Sequence, residues 1–318
     1  MIKLERKVYE SAPFRFLEAK SKKIILPGFQ GVPLFEVIRF FSNQVKKVGL
    51  NDRARSIAFS FLTAIPAAMI FICTLIPYLP VSHQIERQLL LLTKDVTPNQ
   101  NTYVLVSQFL QDFLEKPRVG LLSIGFVLAL FYSSNAMLGI MRSFNKSLVH
   151  NTRRNTFQAR WMAIKLTALV MCIVIVSVII LVTQAELLRT LFRWMHLRHN
   201  DQTAHFLVRT LRWVVIIPLF YIAIACIYKY GPAMQKRWAL FSPGTLLATL
   251  LTIGITLAFS YWVNRFGTYN KVYGSIGTVM ILMLLVYFNS LVLLIGYELN
   301  VSIYHLRVMS GEKANFVR

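Results

Sequence analysis

Six long apolar stretches divide this sequence, and each is long enough to cross a membrane as a single helix. A membrane-spanning helix needs about 20 mainly apolar residues, because it rises about 1.5 Å per residue through a hydrocarbon core of about 30 Å. The pattern therefore predicts an all-α membrane protein, a bundle of six transmembrane helices. The predicted spans are residues 56–79, 120–141, 161–183, 211–228, 243–263 and 275–299.

Three stretches outside these spans carry apolar residues at helical spacing, which predicts amphipathic helices at the membrane interface. In residues 34–50, the basic side chains of Arg39, Lys46 and Lys47 lie away from the apolar stripe. A helix packed against the bundle is the alternative for this stretch. The other two stripes lie in the first and third loops, at residues 103–113 and 187–195. The stripe in residues 34–50 consists of Leu34, Val37, Ile38, Phe41, Val45 and Val48.

Charge and composition give opposite indications at first. Lysine and arginine number 35 against 13 aspartate and glutamate, and a net charge of +22 would suit a nucleic-acid binder. However, 56% of the residues are apolar, only 15% are charged, and the mean hydropathy is +0.54. A soluble domain is about a quarter charged. The composition thus argues against a soluble enzyme, and we expect no nucleic-acid partner.

The basic residues are divided unevenly between the two sides of the predicted bundle. Of the 35, 24 lie in the N-terminal segment, the second loop together with Lys165 at the start of the third span, the fourth loop and the C-terminal tail. Positive charge concentrates in cytoplasmic segments, so both termini are predicted to be cytoplasmic, where anionic headgroups of membrane lipids are the expected partners. The predicted organisation is a basic cytoplasmic segment with an interfacial helix (1–55), a six-helix transmembrane domain (56–304) and a cytoplasmic tail (305–318).

Residues for catalysis or metal binding are scattered. His196 and His199 form an H-x-x-H pair that lacks the acidic neighbours of a metal hydrolase. The three cysteines are widely spaced within apolar runs, which is typical of packed thiols rather than of a zinc site or disulfide framework. No glycine-rich phosphate loop and no G-x-S-x-G turn occurs. We therefore expect no metal, no cofactor and no enzymatic activity.

Polar residues inside the spans are the candidates for function. Such groups are costly in hydrocarbon, so they usually face the bundle interior and often mark a pathway. At about 100° per residue, Asn289 and Asn300 share one face of the sixth span, and Glu298 lies opposite. A structural ion pair between Glu298 and a basic residue, such as one in the second loop, is the alternative to a transport role. For Asn135 in the second span, the alternative is a hydrogen bond between helices.

Proline and glycine mark predicted bends. Pro66 lies in the middle of the first span, where it removes a helical donor and should kink the helix. Gly267 and Gly274 lie between the last two spans, where glycine suits tight turns or a close approach of helices.

Several segments, taken in order, resemble the YihY/BrkB family of bacterial inner-membrane proteins over roughly residues 35–305. The resemblance implies six helices in a bacterial inner membrane and no established activity. Some members carry the label ribonuclease BN, but the residues that hydrolysis would need are absent from this sequence. The long charged N-terminal segment departs from the family pattern. The matching segments are 54–66 (ARSIAFSFLTAIP), 133–137 (SSNAM), 242–248 (SPGTLLA), 265–269 (RFGTY), 272–277 (VYGSIG) and 296–300 (GYELN).

These features together predict a transporter of a lipid, an amphiphile or a small solute. Asn135, Asn289, Glu298 and Asn300 are its candidate polar lining. A non-catalytic scaffold for an envelope complex is the alternative, supported by the basic N-terminal segment and the amphipathic stretches. A membrane-bound enzyme is a third and weaker hypothesis.

Overall fold

A computed structural model describes residues 28–29, 31–78, 104, 107–108, 119–148, 154–194, 201–234, 238–265 and 269–316. Within these ranges the secondary structure is helical and no strand occurs. A short 3-10 turn, Ile76–Tyr78, follows the second helix. The α-helices with described bounds are α1 (Leu34–Lys47), α2 (Leu50–Leu75), α3 (Val119–Ser147), α4 (Thr156–Trp194), α5 (Asp201–Tyr230), α6 (Pro243–Arg265) and α7 (Tyr269–Phe316).

Six of the described helices, α2 to α7, are long and apolar enough to cross a membrane, which confirms the predicted all-α bundle of six spans. Their ends extend beyond the predicted spans. Helix α2 begins at Leu50 because the polar residues from Asn51 to Arg55 continue the helix that the apolar pattern begins at residue 56. Helix α7 continues to Phe316, so most of the predicted tail is helical.

The six spans form a closed ring. Each helix from α2 to α7 packs against the next, and α7 packs against α2. Helix α3 also contacts α7, so it is set towards the middle of the ring. Since α2 begins and α3 ends at the same end of the bundle, we call this the terminal end. Because the six described spans alternate in direction, α7 ends on the side where α2 begins.

The core lies mainly at the terminal end. Phe144 of α3 stacks on Tyr297 of α7 at 3.8 Å between ring centroids, and both rings contact Tyr228 of α5. Trp238, in the segment between α5 and α6, adds a fourth ring at 5.0 Å from Tyr297. Aromatic pairs at these separations are favourable beyond the area they bury. This aromatic cluster of Phe144, Tyr228, Trp238 and Tyr297 therefore ties α3, α5 and α7 together.

Packing is looser away from the terminal end. Leu282, Met283 and Leu284 of α7 are all exposed, although successive residues of a helix point about 100° apart. Exposed apolar residues also follow one another in α4, where Val174, Ile175 and Val176 are accessible. Within the described residues, the buried core is thus concentrated at the terminal end.

Helix α1 is present where the apolar stripe predicts it. It packs against α7, with Val37 fully buried beside Ile303, while Ile38 remains exposed. The bundle-packed alternative thus describes one face of this helix, and an interfacial position stays a prediction. The first-loop stripe lies almost wholly outside the described residues. The third-loop stripe up to Trp194 continues α4 rather than forming a separate helix.

The structure describes two of the three residues that were predicted to bend the chain. Pro66 lies inside α2, which continues through it as one helix. Gly274 lies within α7 and not in a turn, because the helix already begins at Tyr269; a close helix approach there stays a prediction. Gly267 lies outside the described residues.

Candidate functional site

A buried ion pair joins the first and last spans at the terminal end. Arg53 Nη1 of α2 lies 3.4 Å from Glu298 Oε1 of α7, and the two side chains are 11% and 0% exposed. Arg53 also donates hydrogen bonds to Ser147 Oγ at 2.7 Å and to the Ser143 carbonyl oxygen at 3.2 Å. The Ser147 hydroxyl in turn donates to Glu298 Oε1. Helix α3 thus bridges the charged residues of α2 and α7.

Glu298 pairs with a basic residue, although not with one in the second loop, which was the example that the sequence offered. The cation comes from the first turn of α2, and α3 supplies Ser147. A buried carboxylate is costly unless it is paired and hydrogen-bonded. The ring order explains the pairing, because α2 and α7 are neighbours at this end. The second carboxylate oxygen, Oε2, is buried without a hydrogen-bond partner among the described residues.

A polar cleft of about 870 Å³ lies beside this ion pair and is lined by α2, α3 and α4. Helix α3 lies between the other two and supplies about half of the lining. The cleft extends about 12 Å along α2 and about 16 Å along α3, at about 1.5 Å per residue. We call it the basic cleft, and its lining residues are Asp52, Arg53, Ser56, Ser60, Asn135, Leu138, Gly139, Arg142, Ser143, Lys146, Thr156, Phe157 and Arg160.

Positive charge dominates the basic cleft. Of its four cations, Arg53 is paired with Glu298, and the one acid, Asp52, is paired with Arg55 at 3.3 Å. Arg142 and Lys146 are exposed and make no hydrogen bond or ion pair within the described chain.

Arg160 is held in place by neutral groups. It donates to Asn135 Oδ1 and to the Phe131 carbonyl oxygen, and its guanidinium lies 4.3 Å from the centroid of the Phe131 ring. Its charge therefore has no carboxylate partner among these contacts. Three cations of the basic cleft, Arg142, Lys146 and Arg160, thus remain uncompensated by the contacts described.

The structure does not bring the four candidate lining residues together. Asn135 lies in the wall of the basic cleft, and Glu298 lies behind that wall through its contact with Arg53. Asn300 faces α6 instead: its Nδ2 donates to Ser242 Oγ and its Oδ1 accepts from the Gly244 backbone, both at 2.9 Å.

Asn289 lies away from both sites. Its Nδ2 donates to the Leu285 carbonyl oxygen of its own helix at 3.0 Å, and its Oδ1 is buried without a partner among the described residues. Asn289 and Asn300 were predicted to share a helix face, but their amide groups have no partner in common.

Sequence reasoning missed the cations of the basic cleft, because it counted them as loop charges. The spacing of polar residues on two helices could have revealed them. On α2, polar residues recur every three or four positions at Arg53, Ser56 and Ser60. On α3, the same spacing joins Asn135, Gly139, Arg142 and Lys146. Residues at such spacing lie on one helix face. Two polar stripes on successive spans would have indicated a shared cleft.

Metal binding has no visible basis in the described part of the chain. No group of three or more histidine, cysteine, aspartate or glutamate side chains there could hold an ion.

These observations define a polytopic α-helical membrane protein with a basic cleft and a buried ion pair at the terminal end of its bundle. Comparison with known families agrees with this class. The family model described as Virulence factor BrkB matches residues 41–316, so the chain belongs to this family, and the resemblance seen in the sequence is confirmed.

Individual relatives cover most of the chain at low identity. The ribonuclease-like protein YfkH of Bacillus subtilis (strain 168) is 26% identical over 268 residues, which are 82% of this chain and 93% of YfkH. A UPF0761 membrane protein of Pseudoalteromonas atlantica is 25% identical and covers 82% of this chain and 84% of its own. A UPF0761 membrane protein of Tolumonas auensis is 37% identical, over 24% of this chain and 25% of its own. No solved structure matches the chain significantly.

Proposed function

We propose that this protein moves a lipid or another amphiphile across the membrane, with the basic cleft as the site that receives its polar end. The observation that carries the proposal is that the cleft is lined by helices long and apolar enough to cross a membrane. Polar groups within a membrane usually mark a substrate or ion pathway. The length of the cleft along α3 is about half the thickness of a hydrocarbon core, which is about 30 Å.

The arrangement of the cleft suits a molecule with a polar head and an apolar tail. Ser56, Ser60 and Asn135 supply hydroxyl and amide groups that could replace water around a headgroup. Phe157 lines the cleft and is strongly exposed, and the exposed ring of Phe131 lies under Arg160. Phenylalanine is common on the apolar faces of helices that lie against the membrane interface. An apolar tail could thus stay in the lipid while its head occupies the cleft, which favours an amphiphile over a small solute.

The ion pair behind the wall gives the cleft a means of responding to its occupant. Arg53 lines the cleft and holds Glu298 at the same time. An anionic head in the cleft would compete with Glu298 for this guanidinium and so weaken the contact between α2 and α7. A conformational change follows when a ligand binds one arrangement better than the other.

We further propose that the terminal end faces the cytoplasm of a bacterial cell, in the inner membrane, because most basic residues lie on that side. We treat the protein as non-enzymatic. The name of YfkH refers to ribonuclease, whereas the basic cleft contains one carboxylate, Asp52, already paired with Arg55, and no histidine.

The test is a leaflet-exchange measurement in liposomes. The purified protein is reconstituted with a fluorescent phospholipid, a membrane-impermeant reductant bleaches the outer leaflet, and the rate at which inner-leaflet label becomes accessible is recorded. We expect the wild-type protein to raise this rate above that of protein-free liposomes. Glu298→Gln should abolish this increase, since the variant weakens the pairing of Arg53.

Equal rates with and without well-folded wild-type protein would contradict the transport proposal. The scaffold alternative would then gain support. Crosslinking in native membranes that recovers one stoichiometric protein partner would favour it further.

A further inference from the structure

We infer that Arg142, Lys146 and Arg160 form a binding site for a phosphate group in the basic cleft. The inference names the substrate chemistry and so rests on the proposed function for its biological role, but binding can be measured without any transport. The phosphate could belong to a lipid headgroup or to a soluble phosphate, and the same three cations would recognise either.

The charge balance of the cleft favours an anion from outside. Arg53 is neutralised by Glu298, and Asp52 is neutralised by Arg55. The remaining three cations line one cavity without a carboxylate partner among the described contacts. Like charges that line one cleft raise its positive potential, so a multivalent anion would be attracted to it.

The donor geometry suits a phosphate. Arg142 and Lys146 are one helical turn apart on α3, so their side chains project from the same face. Arg160 projects from the first turns of α4 into the same cavity. A guanidinium has five N–H donors, and the described contacts of Arg160 engage two of its nitrogens, which leaves further donors for an oxyanion. Phosphate oxygens accept such paired donors well.

Asn135 acts here as a positioning residue. Its Oδ1 accepts a hydrogen bond from Arg160 Nη1, and the ring of Phe131 lies under the same guanidinium. Both groups are neutral, so they orient Arg160 without cancelling its charge. This gives Asn135, which the sequence singled out as polar lining, a role that does not require it to touch the ligand.

The test is a binding measurement on the full-length protein in a neutral sugar detergent, which contains no phosphate. Two fluorescent ligands with the same acyl chains are titrated, phosphatidic acid and diacylglycerol. We expect phosphatidic acid to bind at least about tenfold more tightly, since a hydrogen bond to a charged group is worth a factor of this order. Inorganic phosphate is then added as a competitor. Effective competition assigns the site to soluble phosphates, and failure to compete assigns it to a lipid headgroup.

Variants separate the cleft from general surface charge. Arg142→Gln with Lys146→Gln should remove the preference for phosphatidic acid, and Arg142→Lys with Lys146→Arg should keep it. The matched control, Arg39→Gln with Lys47→Gln, removes the same charges from exposed positions on α1 and should also keep it. Elution and thermal unfolding profiles verify that each variant is folded.

Equal affinity for the two ligands would overturn the inference, and so would an equal loss of preference in the control. If phosphatidic acid binds but the liposome rate stays at background, the phosphate site stands and the transport proposal falls. If exchange is fast but the ligands bind equally, the transport proposal stands and the phosphate site falls.

Discussion

At the scale of single residues, one arginine links the buried and the open parts of the site. Arg53 is paired with Glu298 on its buried side and lines the basic cleft on the other. Ser147 binds both members of the pair, which places an α3 hydroxyl between charges from α2 and α7. Three spans therefore depend on one polar centre at the terminal end.

Breaking the ion pair should destabilise the bundle strongly. Glu298→Ala leaves the guanidinium of Arg53 largely buried without its carboxylate, which typically costs about 3–5 kcal/mol. Arg53→Ala should cost a similar amount, and the double variant should cost less than the sum because neither charge is then left alone. The measurement is the apparent free energy of unfolding from titration with a denaturing detergent.

The matched control for this prediction is Asp52→Asn, which removes the exposed pair with Arg55. The side chains of Asp52 and Arg55 are 85% and 70% exposed, so the free energy of unfolding should stay within about 0.5 kcal/mol of wild type. Additive effects of the two single variants at Arg53 and Glu298 would show that the pair is not energetically coupled.

The sequence predicted the chemistry of these residues better than their partners. A carboxylate in an apolar span predicts a nearby cation, whatever the fold. Which cation it is depends on which helices are neighbours, and hydropathy does not contain that information. Arg53 is 245 positions from Glu298 in the chain, and the closed ring brings them together.

At the scale of helices, two glycines allow α6 and α7 to approach closely. A Cβ at Gly296 would lie 2.5 Å from the Gly244 carbonyl oxygen and 2.7 Å from the Ala248 side chain. A Cβ at Gly244 would lie 2.6 Å from the Asn300 amide. Small residues at helix interfaces are typical of membrane proteins, where close backbone contact replaces the hydrophobic driving force.

Adding one methyl group at this contact should separate the helices. Gly296→Ala and Gly244→Ala are each expected to lower the free energy of unfolding by about 1–3 kcal/mol, as overpacking does in well-packed cores. Gly254→Ala on α6 is the control, because its added Cβ would meet no atom within 4 Å apart from its own chain neighbours and helix backbone. Detergent unfolding of the three variants makes the comparison. Equal stability of all three would mean that this helix contact is not tight.

Only part of this helix contact could be predicted from the sequence. Two of the segments that carry the family resemblance, residues 242–248 and 296–300, meet at this glycine contact. Their small and polar residues were visible beforehand, but their meeting was not. Helix lengths were underestimated for a related reason: polar turns such as residues 51–55 continue a helix that hydropathy alone ends early.

At the scale of the whole molecule, the orientation in the membrane is a prediction from the six described spans and the distribution of charge. We expect both termini in the cytoplasm because basic segments are retained on that side. A fluorescent protein that folds only in the cytoplasm should be active when fused after Arg318, and alkaline phosphatase, which is active only outside, should not be. The reverse pattern would place the basic cleft at the outer surface and remove the support for the proposed orientation.

We propose that a lipid or another amphiphile crosses the membrane through the basic cleft. Filling the cleft tests this proposal most directly. Gly139 lines the cleft on α3, and a Cβ there would meet Ser60 Oγ at 3.5 Å, which is an ordinary contact. Gly139→Leu should therefore occupy the cleft without changing its charge, and Gly139→Ala should fill it only in part. Gly254→Leu adds the same side chain to α6, where the added Cβ meets open space.

The deciding measurement is the leaflet-exchange rate of fluorescent phospholipid in liposomes that contain equal amounts of each folded variant. We predict that Gly139→Leu falls to the protein-free rate, Gly139→Ala is intermediate, and Gly254→Leu matches wild type. A Gly139→Leu variant that exchanges lipid as fast as wild type would contradict the claim that the basic cleft is the route.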